Sequence, residues 1–330
     1  MIKQSTKELL QTSKNLLAFS AGVDSSALFF ILKELEIPFD IAIVDYALRD
    51  QSKEEVLYAK ELADRYEKKC FVKEAEEITK NFEATARAIR YTFFEELIKK
   101  HNYDNLLTAH HLGDRFEWFL MQFCKGAGCA ELSGMQEIEE YEEYRLVRPL
   151  LDLDKNDLLA YLQNNAIHYF EDASNNDEKY KRNYFRHHHT QALLERYKSG
   201  IKKSFEYIDK DKSILIQKQE IKTINKLALF LQKSSRSDIY HIDKYLKSIG
   251  HIITKDEREL LEKEKSVVIG RKYIVSRLKD HILIAPYYTK TKSFTKTFKE
   301  KMRELKVDPK LRPYLAEDEE ALLFLSRLFS

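Results

Sequence analysis

The feature that most constrains the fold of this chain is the alternation, through its first half, of short apolar runs with longer amphipathic ones. Such runs are typical of buried parallel strands joined by helices, because a parallel pair needs a long crossover connection. The predicted strands are residues 15–19, 39–44, 70–72 and 105–109. The predicted helices are residues 24–35, 52–66, 83–100, 114–123 and 154–164. The first half is therefore expected to be a Rossmann-like α/β domain, with a parallel sheet flanked by helices.

The rest of the 330-residue chain is long enough for a second domain, since domains usually span about 100–200 residues. We predict domains at residues 1–200 and 201–330, with the boundary after a helix rich in Arg and His at 180–197. Residues 201–265 have a mostly helical pattern, and strand-like alternation follows at 266–269, 273–278 and 281–284. The expectation is a smaller, mostly helical α+β domain.

The charge of the chain is nearly balanced overall but uneven along its length. Its 56 Lys and Arg residues against 54 Asp and Glu leave a net charge of +2, whereas residues 196–233 and 290–312 are strongly basic. Basic segments of this kind suit a polyanion such as a nucleic acid. A solvated surface is the alternative that charge alone leaves open.

The cysteine count and the hydropathy indicate the compartment. Cys70, Cys124 and Cys129 cannot form a closed disulfide framework, and the last two lack the spacing of paired zinc ligands. They are expected to be buried thiols in a reducing environment. No stretch approaches the ~20 apolar residues of a membrane span. We therefore expect a soluble cytoplasmic protein without a membrane partner.

The strongest local motif is a run of small and polar residues between the first predicted strand and the first predicted helix. Small residues let backbone N–H groups approach a phosphate, and a helix N-terminus adds partial positive charge there. An ordinary helix start is the alternative, because Asp and Ser are good capping residues. The candidate phosphate-binding residues are Ser20, Ala21, Gly22, Val23, Asp24, Ser25 and Ser26.

This run resembles the PP-loop, Ser-Gly-Gly-x-Asp-Ser, of enzymes that split ATP into AMP and pyrophosphate. It departs from that pattern at Ala21, which stands where the pattern has glycine. If the position requires a positive φ, the alanine is strained.

Four further segments, in order along the chain, resemble the tRNA(Ile)-lysidine synthetase family. They cover residues 14–190 approximately and are specific as a set. The segments are 44–49 with Asp45, 83–91 with Arg90, 108–117 with His110, His111 and Asp114, and 171–186 with Arg182 and Arg186. The main departures from the family pattern are Tyr46 for His, Gly113 for Asp, Arg115 for Gln and Trp118 for Thr.

The resemblance implies that ATP, with Mg²⁺, adenylates the C2 oxygen of the wobble cytidine in isoleucine tRNA with a CAU anticodon. The amine of free lysine then displaces AMP. Adenylation makes the oxygen a good leaving group, and the metal offsets charge on the departing pyrophosphate. The loop and Asp45 would hold ATP, and Asp24 would hold the metal.

Lysine is a zwitterion, so its site needs an anion and a cation. Arg90 and Asp114 match family positions linked to substrate recognition and are expected to supply them. His110 and His111 are candidates for the base that deprotonates the lysine amine, with a structural role as the alternative. Arg182 and Arg186 lie one helical turn apart and are expected to contact tRNA together, or else to form a solvated face.

Two other functions stay open on the sequence alone. A PP-loop tRNA thiolase also adenylates a base, although that chemistry usually needs a close cysteine pair, which this chain lacks. A catalytically silent tRNA-binding module is the second alternative, with Ala21 and Gly113 as signs of lost activity. Residues 227–261 are similar to the family's helical tRNA-binding domain. Residues 298–314 are similar to the opening of a further domain, starting near 291, that the chain ends too early to complete. The assembly could be a homodimer.

Overall fold

The computed structural model describes residues 2–46, 50–76, 78, 81–171, 181–289 and 293–329, apart from the side chains of Asp50 and Glu83. The chain divides into two compact units, Met1–Asp209 and Lys210–Ser330. The sequence placed this boundary near residue 200. Among the described helices, none is both long enough and apolar enough to cross a lipid bilayer.

The first unit is built on a six-stranded sheet. Its strands are β1 (Asn15–Ala18), β2 (Phe39–Asp45), β3 (Cys70–Glu74), β4 (Asn105–Leu107), β5 (Ile138–Glu140) and β6 (Arg145–Val147). Their order is β3-β2-β1-β4-β6-β5, and only β5 is antiparallel to its neighbour. The predicted α/β class is confirmed. The strands β5 and β6 were not predicted, because an acidic run at 137–143 hid their short apolar pattern.

Helices connect and flank these strands. They are α1 (Gln4–Gln11), α2 (Val23–Glu34), α3 (Asp50–Arg65), α4 (Phe82–His101), α5 (Leu112–Phe123), α6 (Cys129–Leu132), α7 (Lys155–Asn164), α8 (Lys181–Phe185) and α9 (Gln191–Leu215). A π-helical segment, Arg186–Thr190, lies between α8 and α9. The single helix expected at 180–197 is therefore three consecutive pieces, and a further kink at Tyr197 follows.

The central strand β1 shows why the apolar runs are continuous. Leu16 and Leu17 are both fully buried, although successive side chains of a strand point to opposite faces. Leu17 packs in one core with Leu28 of α2 and Leu162 of α7, while Leu16 packs in another with Phe94 of α4. Helices thus cover both faces of the sheet, which requires apolar residues at every position of the strand.

The order of the strands places a crevice beside β1. The chain leaves β1 towards β2 on one side, and β4 lies on the other side of β1. Loops after two such strands diverge, and ligands of doubly wound sheets bind at this switch point, outside the carboxyl ends of the strands. The loop after β1 and the His110-His111 segment after β4 both occur at this edge.

The second unit contains a five-stranded antiparallel sheet. Its strands are β7 (Lys222–Ile224), β8 (Leu227–Leu231), β9 (Ser266–Ile269), β10 (Tyr273–Leu278) and β11 (His281–Pro286), in the order β7-β8-β11-β10-β9. Its other helices are α10 (Ser235–Ser248), α11 (Lys255–Lys263), α12 (Lys296–Glu304), α13 (Arg312–Glu317) and α14 (Glu319–Phe329). The strands at 266–284 were predicted, and so was an α+β class.

The helical expectation for residues 227–261 is wrong at its start, where Leu227–Leu231 forms β8. Side chains of β8 alternate between two cores. Leu229 packs with Met302 of α12 and Leu315 of α13, whereas Phe230 packs with Leu246 of α10. Helices therefore cover both faces of this sheet. Residues 298–314, expected to open a further domain, contribute to a core of the second unit itself, and residue 291 lies outside the described residues.

The cysteines are less buried than expected. Cys124 is exposed, and Cys70 and Cys129 are half-buried. Burial raises the pKa of the Cys70 thiol to about 11, so this side chain is protonated at neutral pH.

Candidate active site

The loop between β1 and α2 is held by its own serines. Ser25 Oγ accepts a hydrogen bond from the Ser20 N–H at 3.2 Å and donates to the Gly22 carbonyl at 3.2 Å. The Oγ of Ser26 is buried and has no hydrogen-bond partner among the described residues. The first N–H groups of α2 open at this loop, as a phosphate site requires. The geometry is therefore suited to cradle an anion.

Ala21 adopts the left-handed conformation, with φ of 57°. Alanine in this region is strained by about 1–2 kcal/mol, which explains the glycine of the PP-loop pattern. The surrounding structure holds the turn, because the Phe170 N–H donates to the Ala21 carbonyl at 3.0 Å and Gly22 forms a bridge with Phe170. The departure at Ala21 thus leaves the loop in the conformation that glycine would favour.

Asp24 lies in the first turn of α2, beside a lysine that sequence reasoning missed. Its Oδ1 is 2.7 Å from Nζ of Lys155, the first residue of α7, and 3.9 Å from Nε2 of His111. The side chains of Asp24 and Lys155 are 32% and 45% exposed. A cation at the first position of a helix opposes the helix dipole, so Lys155 is poorly placed for helix stability. The Lys155 ammonium is instead well placed to bind an anionic ligand at the loop between β1 and α2.

His111 caps the N-terminus of α5. Its Nδ1 accepts the Gly113 N–H at 3.0 Å, so the neutral ring carries its proton on Nε2, which lies 3.7 Å from Asp114 Oδ2. A Cβ built on Gly113 would lie only 2.7 Å from Cε1 of His111. With this orientation of the His111 ring, a side chain at residue 113 would have to move the ring, so the glycine fits the cap as it stands.

His110 has a different environment. Its Nδ1 lies 2.9 Å from Oγ1 of Thr108. Burial lowers the pKa of His110 to about 4, with help from Arg148, Arg182 and Arg87, although Asp114 opposes the change. His110 is therefore neutral throughout the physiological pH range.

Two carboxylates of α5 meet two guanidinium groups of the following helical region. Asp114 Oδ1 accepts from Arg182 at 2.5 Å, and Asp114 Oδ2 accepts from the His111 N–H at 2.9 Å. Glu117, only 1% exposed, accepts from Nε of Arg182 at 2.7 Å and from Nε of Arg186 at 2.6 Å. We call these four side chains, Asp114, Glu117, Arg182 and Arg186, the α5 charge cluster. Both arginines contact Glu117, and their expected contact with tRNA stays a prediction.

The charge state of Asp114 follows from its neighbours. Burial disfavours its ionised form, yet His111 and Arg182 outweigh that effect and hold the pKa of Asp114 well below its usual range. Asp114 is therefore an anion at any physiological pH. Glu117 was part of the sequence motif without a role, and its i,i+3 spacing from Asp114 was the signal that could have joined the two.

Arg90 has no described hydrogen bond or ion pair with the α5 charge cluster. It is exposed on α4 and makes no hydrogen bond or ion pair with any described residue. Its neighbour Tyr46 donates to the Ala86 carbonyl at 3.0 Å, and burial raises the Tyr46 pKa while Arg90 opposes the change. Asp45, at the end of β2, is half-buried. Residues 47–49 and 172–180 of the predicted motifs lie outside the described residues.

A loop of small residues suited to an anion at the switch point of a parallel sheet, with a carboxylate in the first turn of the following helix, is the arrangement of a PP-loop domain. The family model described as a PP-loop domain matches residues 1–193 of this chain.

The chain also resembles curated proteins along nearly its whole length. It is 41% identical to the tRNA(Ile)-lysidine synthase of Helicobacter pylori (strain J99), over 93% of this chain and 90% of that protein. The enzyme of the same name from Campylobacter jejuni (strain RM1221) is 41% identical over 95% and 96%. That of Wolinella succinogenes is 42% identical over 95% and 96%. The chain therefore belongs to the tRNA(Ile)-lysidine synthase family.

Proposed function

We propose that this protein ligates lysine to C2 of the wobble cytidine of isoleucine tRNA with a CAU anticodon, using ATP. The observation that carries the proposal is the match to tRNA(Ile)-lysidine synthases over at least 93% of this chain and 90% of theirs. The reaction has two steps. The C2 oxygen attacks the α-phosphorus of ATP and pyrophosphate leaves; the lysine ε-amine then attacks C2 and AMP leaves.

The loop and its surroundings support the first step. Ser20, Ala21, Gly22, Val23, Ser25 and Ser26 are proposed to hold pyrophosphate through backbone N–H groups and hydroxyls, and Asp45 to contact ATP. Lys155 supplies the positive charge that the loop itself lacks. Because its Nζ already lies 2.7 Å from Asp24, it needs only a small movement to reach a phosphate bound there.

Asp24 is proposed to hold Mg²⁺. The donor set fits, because Mg²⁺ is commonly bound by one or two carboxylates together with substrate phosphates, and the Asp24 carboxylate is 32% exposed beside the loop. When bound, the metal neutralises charge that develops on the leaving pyrophosphate. Lys155 would then be released from Asp24 towards the phosphates.

Lysine recognition is proposed for Asp114 and Arg90. Asp114 is ionised and lies at the catalytic edge of the sheet, and each carboxylate oxygen has a second lone pair beyond the hydrogen bond it accepts. It can therefore accept from the α-ammonium. Arg90 is exposed and can bind the α-carboxylate as a bidentate partner. Arg182 and Arg186 are proposed to contact the tRNA, while Asp114 and Glu117 hold their guanidinium groups in place.

Neither histidine is proposed as the base for the lysine amine. Nδ1 of His111 is occupied by the Gly113 N–H, and its Nε2 carries the proton. His110 is neutral and has one ring nitrogen without a proton, but its pKa of about 4 makes it a weak base for an amine. We propose desolvation of the lysine amine on binding as the route to its neutral form.

The function is tested by incubating the purified protein with radiolabelled lysine, ATP, Mg²⁺ and an isoleucine tRNA transcript. Label is expected in the tRNA, with AMP and pyrophosphate released in equal amounts. The matched control is a methionine tRNA transcript, which carries the same anticodon without modification and should take up far less label. Formation of ADP and phosphate would refute the PP-loop chemistry. Binding of tRNA without release of AMP would identify a silent module, and incorporation of sulfur would identify a thiolase.

If Arg90 binds the α-carboxylate of lysine, Arg90→Met should impair the use of lysine without impairing the adenylation of tRNA. Loss of a charge-assisted hydrogen bond weakens binding by about 1.5 kcal/mol or more, so the KM for lysine should rise about tenfold or more. Adenylated tRNA should still form when lysine is withheld, because that step precedes amine attack. Lys100→Met, an exposed cation near the C-terminus of the same helix, is the control and should leave the KM unchanged. An Arg90→Met enzyme with normal lysine KM and no adenylate would move this residue to the ATP or cytidine site.

A further inference from the structure

Trp118 is the one tryptophan of the chain, and it lies on α5 with 42% of its surface exposed. The family pattern has threonine at this position, so the indole is not needed to build the helix. A large exposed aromatic ring loses the stability that burial would give it. Its position beside the α5 charge cluster makes the exposed ring a candidate contact for a bound ligand.

The indole ring of Trp118 packs against the backbone of a neighbouring turn. Gly134 follows α6 and has φ of 58°, and a Cβ built on it would lie 2.7 Å from Cδ1 and 3.3 Å from Nε1 of Trp118. The indole thus rests directly on the backbone of Gly134. Arg115 of α5 also binds this turn, because its guanidinium donates to the Ser133 carbonyl at 3.0 Å. A ring held in this way loses little freedom when it binds a flat partner, which favours stacking.

The location points to the tRNA. Trp118 follows Asp114 by four residues, so it lies on the same side of α5 about 6 Å further along the axis. Asp114 marks the end of the helix near the loop, since His111, its capping partner, is 3.9 Å from Asp24. The segment packed on α5 next to the cluster, residues 181–190, contains three Lys or Arg and three His residues and no carboxylate of its own, and two of its arginines pair with the carboxylates of α5. An aromatic platform bordered by such a segment suits an anionic polymer with flat bases.

We propose that Trp118 stacks on the anticodon-loop base that neighbours the modified cytidine. The inference rests on the proposed function, since it takes tRNA as the substrate. The cytidine that reacts at the carboxyl edge of the sheet must be separated from the adjacent base of the anticodon loop. The Trp118 ring, about one helical turn from that edge, provides a surface on which the adjacent base can stack. Because every base has a π-face, the stack contributes affinity and order and leaves base identity to other contacts.

The single tryptophan makes the test direct, because emission excited at a wavelength that the 19 tyrosines do not absorb reports this residue alone. An unlabelled anticodon stem-loop of isoleucine tRNA should change the emission of the full-length protein and protect it from acrylamide. Both changes should saturate at the RNA concentration at which a fluorescently labelled stem-loop is bound by anisotropy. RNA that binds by anisotropy without changing emission or acrylamide access would overturn the proposal and leave the proposed function standing. Absence of any binding by the wild-type protein would overturn both.

Substitutions provide a second measure. Trp118→Ala should raise the Kd for the stem-loop about 5- to 100-fold, whereas Trp118→Phe should keep it within about threefold, since phenylalanine preserves a stacking face. The KM for lysine should not change in either. Phe123→Ala removes an aromatic ring that is 61% exposed on another side of the same helix, and it should bind RNA like the wild type. Equal Kd values for Trp118→Ala and the wild type, with the thermal midpoint unchanged, would contradict the stacking role.

Discussion

Asp24→Asn is expected to reduce adenylation of tRNA by about a hundredfold to a thousandfold while leaving the thermal midpoint almost unchanged. The first effect follows because a charge that stabilises the leaving pyrophosphate acts in the transition state, where removal of one such group costs about two to three orders of magnitude. The second follows because the Asp24–Lys155 pair is partly exposed, at 32% and 45%, and pairs of this kind contribute about 0–1 kcal/mol. Rapid-quench measurement of AMP formation and thermal unfolding by circular dichroism give the two values.

The matched control is Asp152→Asn. Asp152 also pairs with a lysine, Lys3, at 3.1 Å, and its side chain is 37% exposed, but it lies outside the loop. This variant should lose as little stability as Asp24→Asn and retain full adenylation. An Asp24→Asn protein that adenylates tRNA at the wild-type rate would remove the residue from the proposed metal and pyrophosphate site.

Glu117→Gln is expected to be among the most destabilising conservative changes in the first unit. The carboxylate is 1% exposed and accepts from both Arg182 and Arg186, so the neutral amide would remove one of the two carboxylates that balance these guanidinium charges and leave Asp114 as the other. Breaking a buried pair from one side costs about 3–5 kcal/mol, and we expect about 2–3 kcal/mol because the arginine side chains are 37% and 29% exposed. The midpoint of thermal unfolding should fall by roughly 5–10 °C.

A double-mutant cycle separates this pairing from a general packing defect. Arg186→Gln and Glu117→Gln should together cost less than the sum of their separate effects, by about 1 kcal/mol or more, because each removes the same interaction. Glu206→Gln, from an exposed pair with Lys203, is the control and should change the free energy of unfolding by less than about 0.5 kcal/mol. Strict additivity of the two changes in the charge cluster would show that Glu117 and Arg186 do not stabilise one another.

The sequence was sufficient for the α/β class and the position of the loop, because both depend on local patterns. Continuous apolar runs followed by helical periodicity gave β1, β2 and the helices between them. The loop was recognised from residues that are adjacent in the chain. Even the strain at Ala21 could be anticipated from the motif, since the question was only whether that position has a positive φ.

The contacts that sequence reasoning missed join residues far apart in the chain. Lys155 meets Asp24 across 131 positions, and Arg182 meets Glu117 across 65. No spacing rule covers such distances. The error at β8 has another cause, because a five-residue apolar run fits a buried strand and a buried helix equally well, and only pairing with β11 decides between them.

The π-helical segment Arg186–Thr190 has a consequence for how this region can change over evolution. A π-helix accommodates one residue more than an α-helix of the same span, so the run from His187 to His189 includes a position that is extra by length. Loss of one codon here would convert the segment to α-helix and leave the rotation of α9 relative to α8 nearly unchanged, whereas loss of one codon at 191–193 would turn the rest of α9 by about 100° about its axis. Leu194 and Phe205 of α9 would in the second case leave the core that they share with Phe116. Related chains are thus expected to tolerate the loss of one residue at 187–189 more readily than the loss of one residue in the α-helical turn that follows.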